Sequence, residues 1–199
     1  NASIMRLSSG NRTLMGGDSA GASIGNNLKA RASSHYIGAR NAEDGISALL
    51  TAESALNEIA QLAIRLRELG IQRDNAALLS DTMEEAAIDK EAEGINDTIG
   101  NIISETKFNE ISLLSTSAAN TLSIGSSVDG TNNNSITTTN EFVDVSSNTD
   151  ADGAENSADA LLEDVALSLG NIAAGISSLK ARQSVSYASA ANLEAAASR

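Results

Sequence analysis

Proline, cysteine and tryptophan are all missing from the 199 residues, and the only aromatics are Tyr36, Phe108, Phe142 and Tyr187. Each absence excludes something. Without cysteine there is no disulfide and no thiolate metal site. Proline costs about 3 kcal/mol inside a helix, so a chain without it is free to form very long ones. Few aromatics mean a thin core of Ala, Leu and Ile, which suits paired helices better than a thick globule. Cationic residues are also scarce: 13 Lys and Arg against 26 Asp and Glu give a formal charge of −13. That balance argues against nucleic acid, which needs clustered Lys and Arg, and against an anionic membrane surface. No run approaches the roughly 18 continuous apolar residues of a membrane span.

The strongest positive signal lies at the end of the chain. Leu162, Val165, Leu169, Ile172, Ile176, Leu179, Gln183, Ser186, Ala190, Leu193 and Ala197 alternate at spacings of three and four. This is a heptad seam, and a helix that carries it must lie along other helices. Each fully buried seam side chain contributes roughly 1.5–3 kcal/mol. The middle of the chain is too polar to supply a partner.

A matching pattern occurs near the start. Leu28, Ala32, Ala39, Ala42, Ile46, Leu49, Leu56, Ile59, Ala63 and Leu66 recur at helical spacings, which predicts a helix over Ile24–Gln72, about 70 Å long. Residues 1–23 carry Gly10, Gly16, Gly17 and Gly21 and read as a loop. A Thr82-x-x-Glu85 capping box opens a second helix with Met83, Ala86, Ile95, Ile99 and Ile102 as its apolar face, ending near Ser104 to Lys107.

After Phe108 the period shortens. Ile111–Leu114, Thr121–Ile124, Ser135–Thr138 and Phe142–Val145 read as short strands among Ser, Thr, Asn and Gly. The fold class expected is mainly α: a long antiparallel helical bundle or coiled coil formed by the N- and C-terminal segments, with a small β-rich insert. Residues 1–115 form the N-terminal part of the helical core, 116–157 a polar insert and 158–199 the C-terminal helix of the same core. Asn1 in place of Met, and Arg199 falling inside the stripe, lead us to expect a piece of a longer protein.

These residues resemble bacterial flagellin. Arg6-Leu7-Ser8-Ser9-Gly10 is similar to the family's Arg-(Leu/Ile)-Ser-Ser-Gly. Gly17-Asp18-Ser19-Ala20-Gly21 is similar to its Asp-Asp-Ala-Ala-Gly turn. Asn41-Ala42-Glu43-Asp44-Gly45-Ile46-Ser47 resembles Asn-Ala-x-Asp-Gly-Ile-Ser, and Arg65-Leu66-Arg67-Glu68-Leu69 continues in register. Thr106-Lys107-Phe108-Asn109 resembles the Thr-x-Phe-Asn that closes the second helix. Ala195-Ala196-Ala197-Ser198-Arg199 is similar to the family's C-terminal Ser-Ala-Arg-Ser-Arg. The order and spacing of these segments, over 1–115 and 158–199, make the resemblance specific.

The resemblance implies a self-assembling structural subunit of the flagellar filament, outside the cell and serving motility. It implies that the extreme terminal helices, which build the filament's inner tube, are not in this stretch. Its partners would be other flagellin subunits, an export chaperone and a filament cap. Export unfolded through a narrow channel suits a chain with neither crosslinks nor slow prolyl bonds. The resemblance further places Arg65 and Leu69 on contact positions for a host Toll-like receptor and Glu91 on the matching acidic position, with Arg67 and Glu68 in the same patch. Ile64 stands where receptor-recognised members have Gln. The ordinary explanation of Arg65 and Glu68 is an i,i+3 pair on a solvated helix face.

Other constellations are weaker. His35, the single histidine, reads as a helix-surface residue, and no catalytic set emerges. The metal motif His-Glu-x-x-His is absent, and no cofactor is expected. Asn148-x-Asp150-x-Asp152-Gly153 with Asp159 mimics a calcium-loop spacing, but the first position is Asn and the last Asp, so a solvated acidic loop is the simpler reading. Thr137 to Thr139 offer hydroxyls for O-linked glycans. Two rival functions share some of the pattern. One is a hook–filament junction protein, which forms a short ring. The other is a cell-surface flagellin homologue that binds polysaccharide or receptor, for which a larger and more aromatic insert is expected.

Overall fold

The computed structural model describes residues 19–74, 82–114, 120–125, 134–138 and 154–198. Among the described residues three helices dominate: α1 (Ser19–Asp74), α2 (Thr82–Glu105) and α3 (Ala154–Ala197). Among the described residues between α2 and α3 lie four short strands: β1 (Lys107–Phe108), β2 (Ile111–Ser112), β3 (Asn120–Ile124) and β4 (Asn134–Thr138). The mainly helical class with a few short strands is as the sequence predicts. The Phe142–Val145 strand and the acidic stretch up to Gly153 lie outside the described residues.

α1 starts earlier than the glycine content implied. Gly21 and Gly25 sit inside it, each costing about 1 kcal/mol relative to alanine. At Gly25 a Cβ would meet the Ala197 carbonyl oxygen at 3.6 Å, an ordinary van der Waals contact.

The chain forms two compact units, and each draws on both α1 and α3. The first takes α1 up to Gly45, the Ile124 end of β3, and α3 from Ser177 onward. Here α1 and α3 run antiparallel, with Glu43 against Gln183 and Tyr187 and with Tyr36 against Glu194. The Asn41–Ser47 motif has a structural task here. Asn41 Nδ2 donates to the Gly125 carbonyl at 2.8 Å. One turn on, Gly45 leaves space for Ile124: a Cβ would stand 2.2 Å from Ile124 Cδ1 and 3.1 Å from Leu179 Cδ1. Two residues of one helix turn thus hold the end of β3 by a hydrogen bond and by the lack of a side chain.

The second unit combines α1 from Ile46, α2, the β1–β2 hairpin and α3 up to Ile176. Its core comprises Leu49, Leu56, Ile59, Leu66 and Leu69 of α1, Ile99 and Ile103 of α2, Leu114, and Leu161, Val165 and Ile172 of α3. The buried face of α2 is Ile88, Ala92, Ile99 and Ile103, which corrects the sequence expectation in part. Met83 and Ala86 are exposed, while Ile95 and Ile102 are half-buried. Residues four apart stack along one side of a helix, and that row, rather than the row through Met83, meets the core. α2 begins at Thr82 as the capping box predicts, but the Glu85 carboxylate engages Arg73.

α2 ends at Glu105, and β1 and β2 pair antiparallel with Lys107 opposite Ser112 and Phe108 opposite Ile111. The two linking residues, Asn109 and Glu110, have φ of 50° and 64°. Two successive positive φ values describe the turn whose twist matches a two-residue hairpin. The Leu113 N–H donates to the Thr106 carbonyl at 3.0 Å, which ties the hairpin's exit to the end of α2.

The seam of α3 is displaced by one residue over its first half. Val165, Ile172, Ile176 and Leu179 are buried, but Leu162 and Leu169 are half-buried, and the fully covered neighbours are Leu161 and Ser168. The buried row runs Leu161, Val165, Ser168, Ile172, Gly175, Leu179. Ser168 and Gly175 carry too little apolar surface to mark the row, so hydropathy alone favours the leucines beside them. Further on, Ser186 and Ala190 are buried and Leu193 is half-buried.

By length and composition, Ser157–Ala197 of α3 is apolar enough to cross a membrane, with a mean hydropathy of 1.3 over its best window. No continuous run of large apolar residues marks it, because alanine and serine interrupt them. One side of it, through Leu161, Val165, Ile172 and Leu179, is buried against protein neighbours, while Leu167 and Val185 on the other side are exposed.

Candidate functional site

On the second unit, the solvent side of α1 and α2 carries a fixed array of charge. Arg65 Nε and Nη2 both donate to Glu91 Oε1, at 2.8 and 2.6 Å, and Nη1 donates to Glu68 Oε2 at 3.1 Å. The guanidinium therefore joins α1 to α2 and also closes the i,i+3 pair foreseen from sequence. The Glu91 hydrogen bond, followed by that of Glu68, raises the Arg65 pKa above its ordinary value. With two carboxylates on it, Arg65 is not a free anion-binding group.

Arg67, two residues on, points elsewhere. Successive helical residues turn by about 100°, so residues two apart face nearly opposite ways. Arg67 Nε contacts Asp159 Oδ1 of α3 at 2.7 Å. Asp159, the last position of the calcium-like spacing, is thus engaged by an arginine. Leu69 is 1% exposed and belongs to the core, which corrects its placement as a surface contact. It lies on the same buried row as Leu66, and only its helix neighbours reach solvent.

The α1–α2 junction carries a second cluster that sequence reading did not identify. Arg73 reaches Glu85 at 3.4 Å and Asp89 at 3.2 Å, and all three side chains are more than two-thirds covered. Its partners lie across a chain reversal, so no i,i+3 or i,i+4 spacing marks them.

The same helix carries a broken apolar strip: Leu50, Ile64 and Ile71 lie 14 and 7 residues apart on one face, with Asn57 at the position between, and each is about half exposed. A strip of aliphatic side chains flanked by ordered, mutually neutralised charges is suited to contact with another protein surface. Among the described residues no group of three or more His, Cys, Asp or Glu is placed to hold a metal.

The first unit has a different surface feature. Glu43 Oε1 accepts from Gln183 Nε2 at 2.6 Å and from the Tyr187 hydroxyl at 2.9 Å. The Tyr36 hydroxyl donates to Glu194 Oε2 at 3.4 Å. The two rings lie 6.1 Å apart, tilted by 58°. The hydrogen bond to Glu43, with partial burial, pushes the Tyr187 pKa up, because a phenolate there would face a carboxylate. His35 is half-buried on α1.

Comparison with known proteins gives a consistent result. Residues 1–119 match the family model described as the bacterial flagellin N-terminal helical region. The chain is 37% identical over 115 residues to polar flagellin F of Vibrio parahaemolyticus, an alignment covering 57% of this chain and 30% of that one. It is 39% identical over 109 residues to flagellin E of Vibrio cholerae, covering 54% and 28%. It is 37% identical over 115 residues to flagellin A of Vibrio anguillarum, covering 57% and 30%. The matched part is thus less than a third of these relatives' own length.

Proposed function

The chain belongs to the bacterial flagellin family, and on that premise we propose that the protein is a structural, non-enzymatic subunit of the bacterial flagellar filament. Its work is assembly. Copies pack side to side and end to end into a tube outside the cell that transmits motor torque as thrust. The observation that carries this reading is that each unit is built from parts of both α1 and α3 while Leu50, Ile64 and Ile71 on one face of α1 stay half exposed.

The partners follow from the same reading: sister subunits at the Leu50–Ile71 strip and the Arg65, Glu68 and Glu91 array, with an export chaperone and a filament cap during assembly. A host Toll-like receptor is a further partner of the Arg65–Glu91 face, to which Leu69 would contribute only from beneath. The test is seeded polymerisation of the intact gene product. Long filaments are expected, and Ile64→Asp with Ile71→Asp should suppress elongation. Short rings that fail to elongate would instead identify the hook–filament junction protein. Micromolar binding to a glycan array without assembly would identify the cell-surface homologue. For the receptor, reporter-cell signalling should fall in Arg65→Ala; signalling untouched by both Arg65→Ala and Glu91→Ala would remove that partner.

A further inference from the structure

Tyr36 and Tyr187 are the only tyrosines in the chain, yet they meet across two helices. Their rings are tilted at 6.1 Å, they are 41% and 40% exposed, and each hydroxyl is hydrogen-bonded to a carboxylate, Glu194 for Tyr36 and Glu43 for Tyr187. Packing alone does not require this combination. A phenol loses an electron most readily when a base takes its proton at the same time, and here each phenol has its own base in place. Both rings are open to a dissolved oxidant. Rotamer motion of half-exposed side chains, on the picosecond to nanosecond scale, closes the remaining distance between ring edges.

We propose that Tyr36 and Tyr187 form an oxidative modification site, which a peroxide-driven one-electron oxidant joins into an intramolecular dityrosine. Each phenol gives up one electron to the oxidant and one proton to its glutamate. The two phenoxyl radicals couple through ring carbons ortho to oxygen, one carbon–carbon bond forms, and the two displaced ring protons move to the oxygens and restore the phenols. The two electrons and two protons released reduce one hydrogen peroxide to two waters. The product is a covalent bridge between α1 and α3, in a chain that has no cysteine to make one by other means. Gln183, which shares Glu43 Oε1 with Tyr187, is a positioning residue for the carboxylate.

The experiment treats dilute protein with a haem peroxidase and limiting hydrogen peroxide, then isolates the monomer by size. Dityrosine fluorescence is expected in the monomer. After trypsin, the peptide Ala32–Arg40 should be joined to Gln183–Arg199 with the loss of two hydrogens. Tyr36→Phe and Tyr187→Phe, which keep the rings and differ by one oxygen, should each abolish the linked pair while the circular dichroism is unchanged. Glu43→Gln should lower the yield several-fold, and the linked monomer should unfold at a higher temperature. Dityrosine confined to covalent dimers, or a monomer yield as high in urea as in the folded state, would overturn the site. An unchanged yield in Glu43→Gln would overturn the assignment of the carboxylate as proton acceptor.

Discussion

Glu110 occupies a backbone conformation that L side chains rarely adopt, with φ of 64° in the β1–β2 turn. Asn109 before it tolerates that region and glutamate does not, at a cost of about 1–2 kcal/mol. Glu110→Gly should therefore stabilise the protein by about 1 kcal/mol, read as a higher urea midpoint with an unchanged slope. Gly45 presents the opposite case. Alanine would gain about 1 kcal/mol of helix propensity. Its Cβ would collide with Ile124, whose Cδ1 can turn aside while Cγ1 and the facing Leu179 Cδ1, both at 3.1 Å, must give way. Overpacking of that kind costs about 1–3 kcal/mol, so Gly45→Ala should be net destabilising by about 1 kcal/mol. Gly94→Ala, with nothing within 4 Å of its new methyl, should stabilise by a similar amount. If both alanines raise the midpoint, the close approach at Gly45 is not tight. Tyr187 gives the pH dependence. Its folded pKa is raised, so its contribution is complete below the ordinary tyrosine value of about 10 and is lost as pH climbs through the raised value. In Tyr36→Phe, the remaining phenolate absorbance should develop above the free-tyrosine midpoint, and adding Glu43→Gln should move it down toward that midpoint.

Neighbouring leucines of α3 should differ sharply. Leu161 is fully buried and Leu162 half-buried, so Leu161→Ala should cost about 2–5 kcal/mol and Leu162→Ala clearly less. The reverse order would return the seam to the phase drawn from hydropathy alone. This pair also shows what the sequence could tell. Large side chains at Val165, Ile172 and Leu179 mark the helix and its direction of burial. Small residues at Ser168 and Gly175 permit approach without advertising it, so the phase slips by one. The same holds for α1, whose helical period is plain while the glycines near its start read as a break. At the candidate site, Arg65–Glu68 was legible because helix geometry sets i,i+3 neighbours. Glu91 came only through a family resemblance. The cluster of Arg73, Glu85 and Asp89 and the tyrosine pair depend on how separate elements fold back, which local spacing does not encode. Because that arginine is mostly covered and holds two carboxylates, Arg73→Ala should cost about 1–2 kcal/mol, with loss of helix at the α1–α2 junction seen by hydrogen exchange.

For the molecule as a whole, the governing fact is that neither unit can be completed from one chain end. In the first, Glu43 meets Tyr187 across a separation of 144 residues; in the second, Arg67 meets Asp159. Closing a flexible loop of that size costs on the order of 4 kcal/mol beyond its length-independent part, and that cost must be met before the seam contacts form. Two consequences follow. Fragments 1–153 and 154–199 should each hold less helix alone than in the intact chain, because helices without their tertiary partners are marginal in water. Mixed at equal concentration, they should recover helix beyond the sum of the parts, measured by far-ultraviolet circular dichroism. Strictly additive spectra would mean that α1 and α2 fold without α3, contrary to the shared cores. In the intact chain, refolding from urea should be slower than in helical proteins whose contacts are local. It should nonetheless lack the phase of tens of seconds that prolyl isomerisation imposes, since the chain has no proline. Stopped-flow refolding with and without a prolyl isomerase separates the two causes: the rate should respond to mutations in the seam and not to the isomerase.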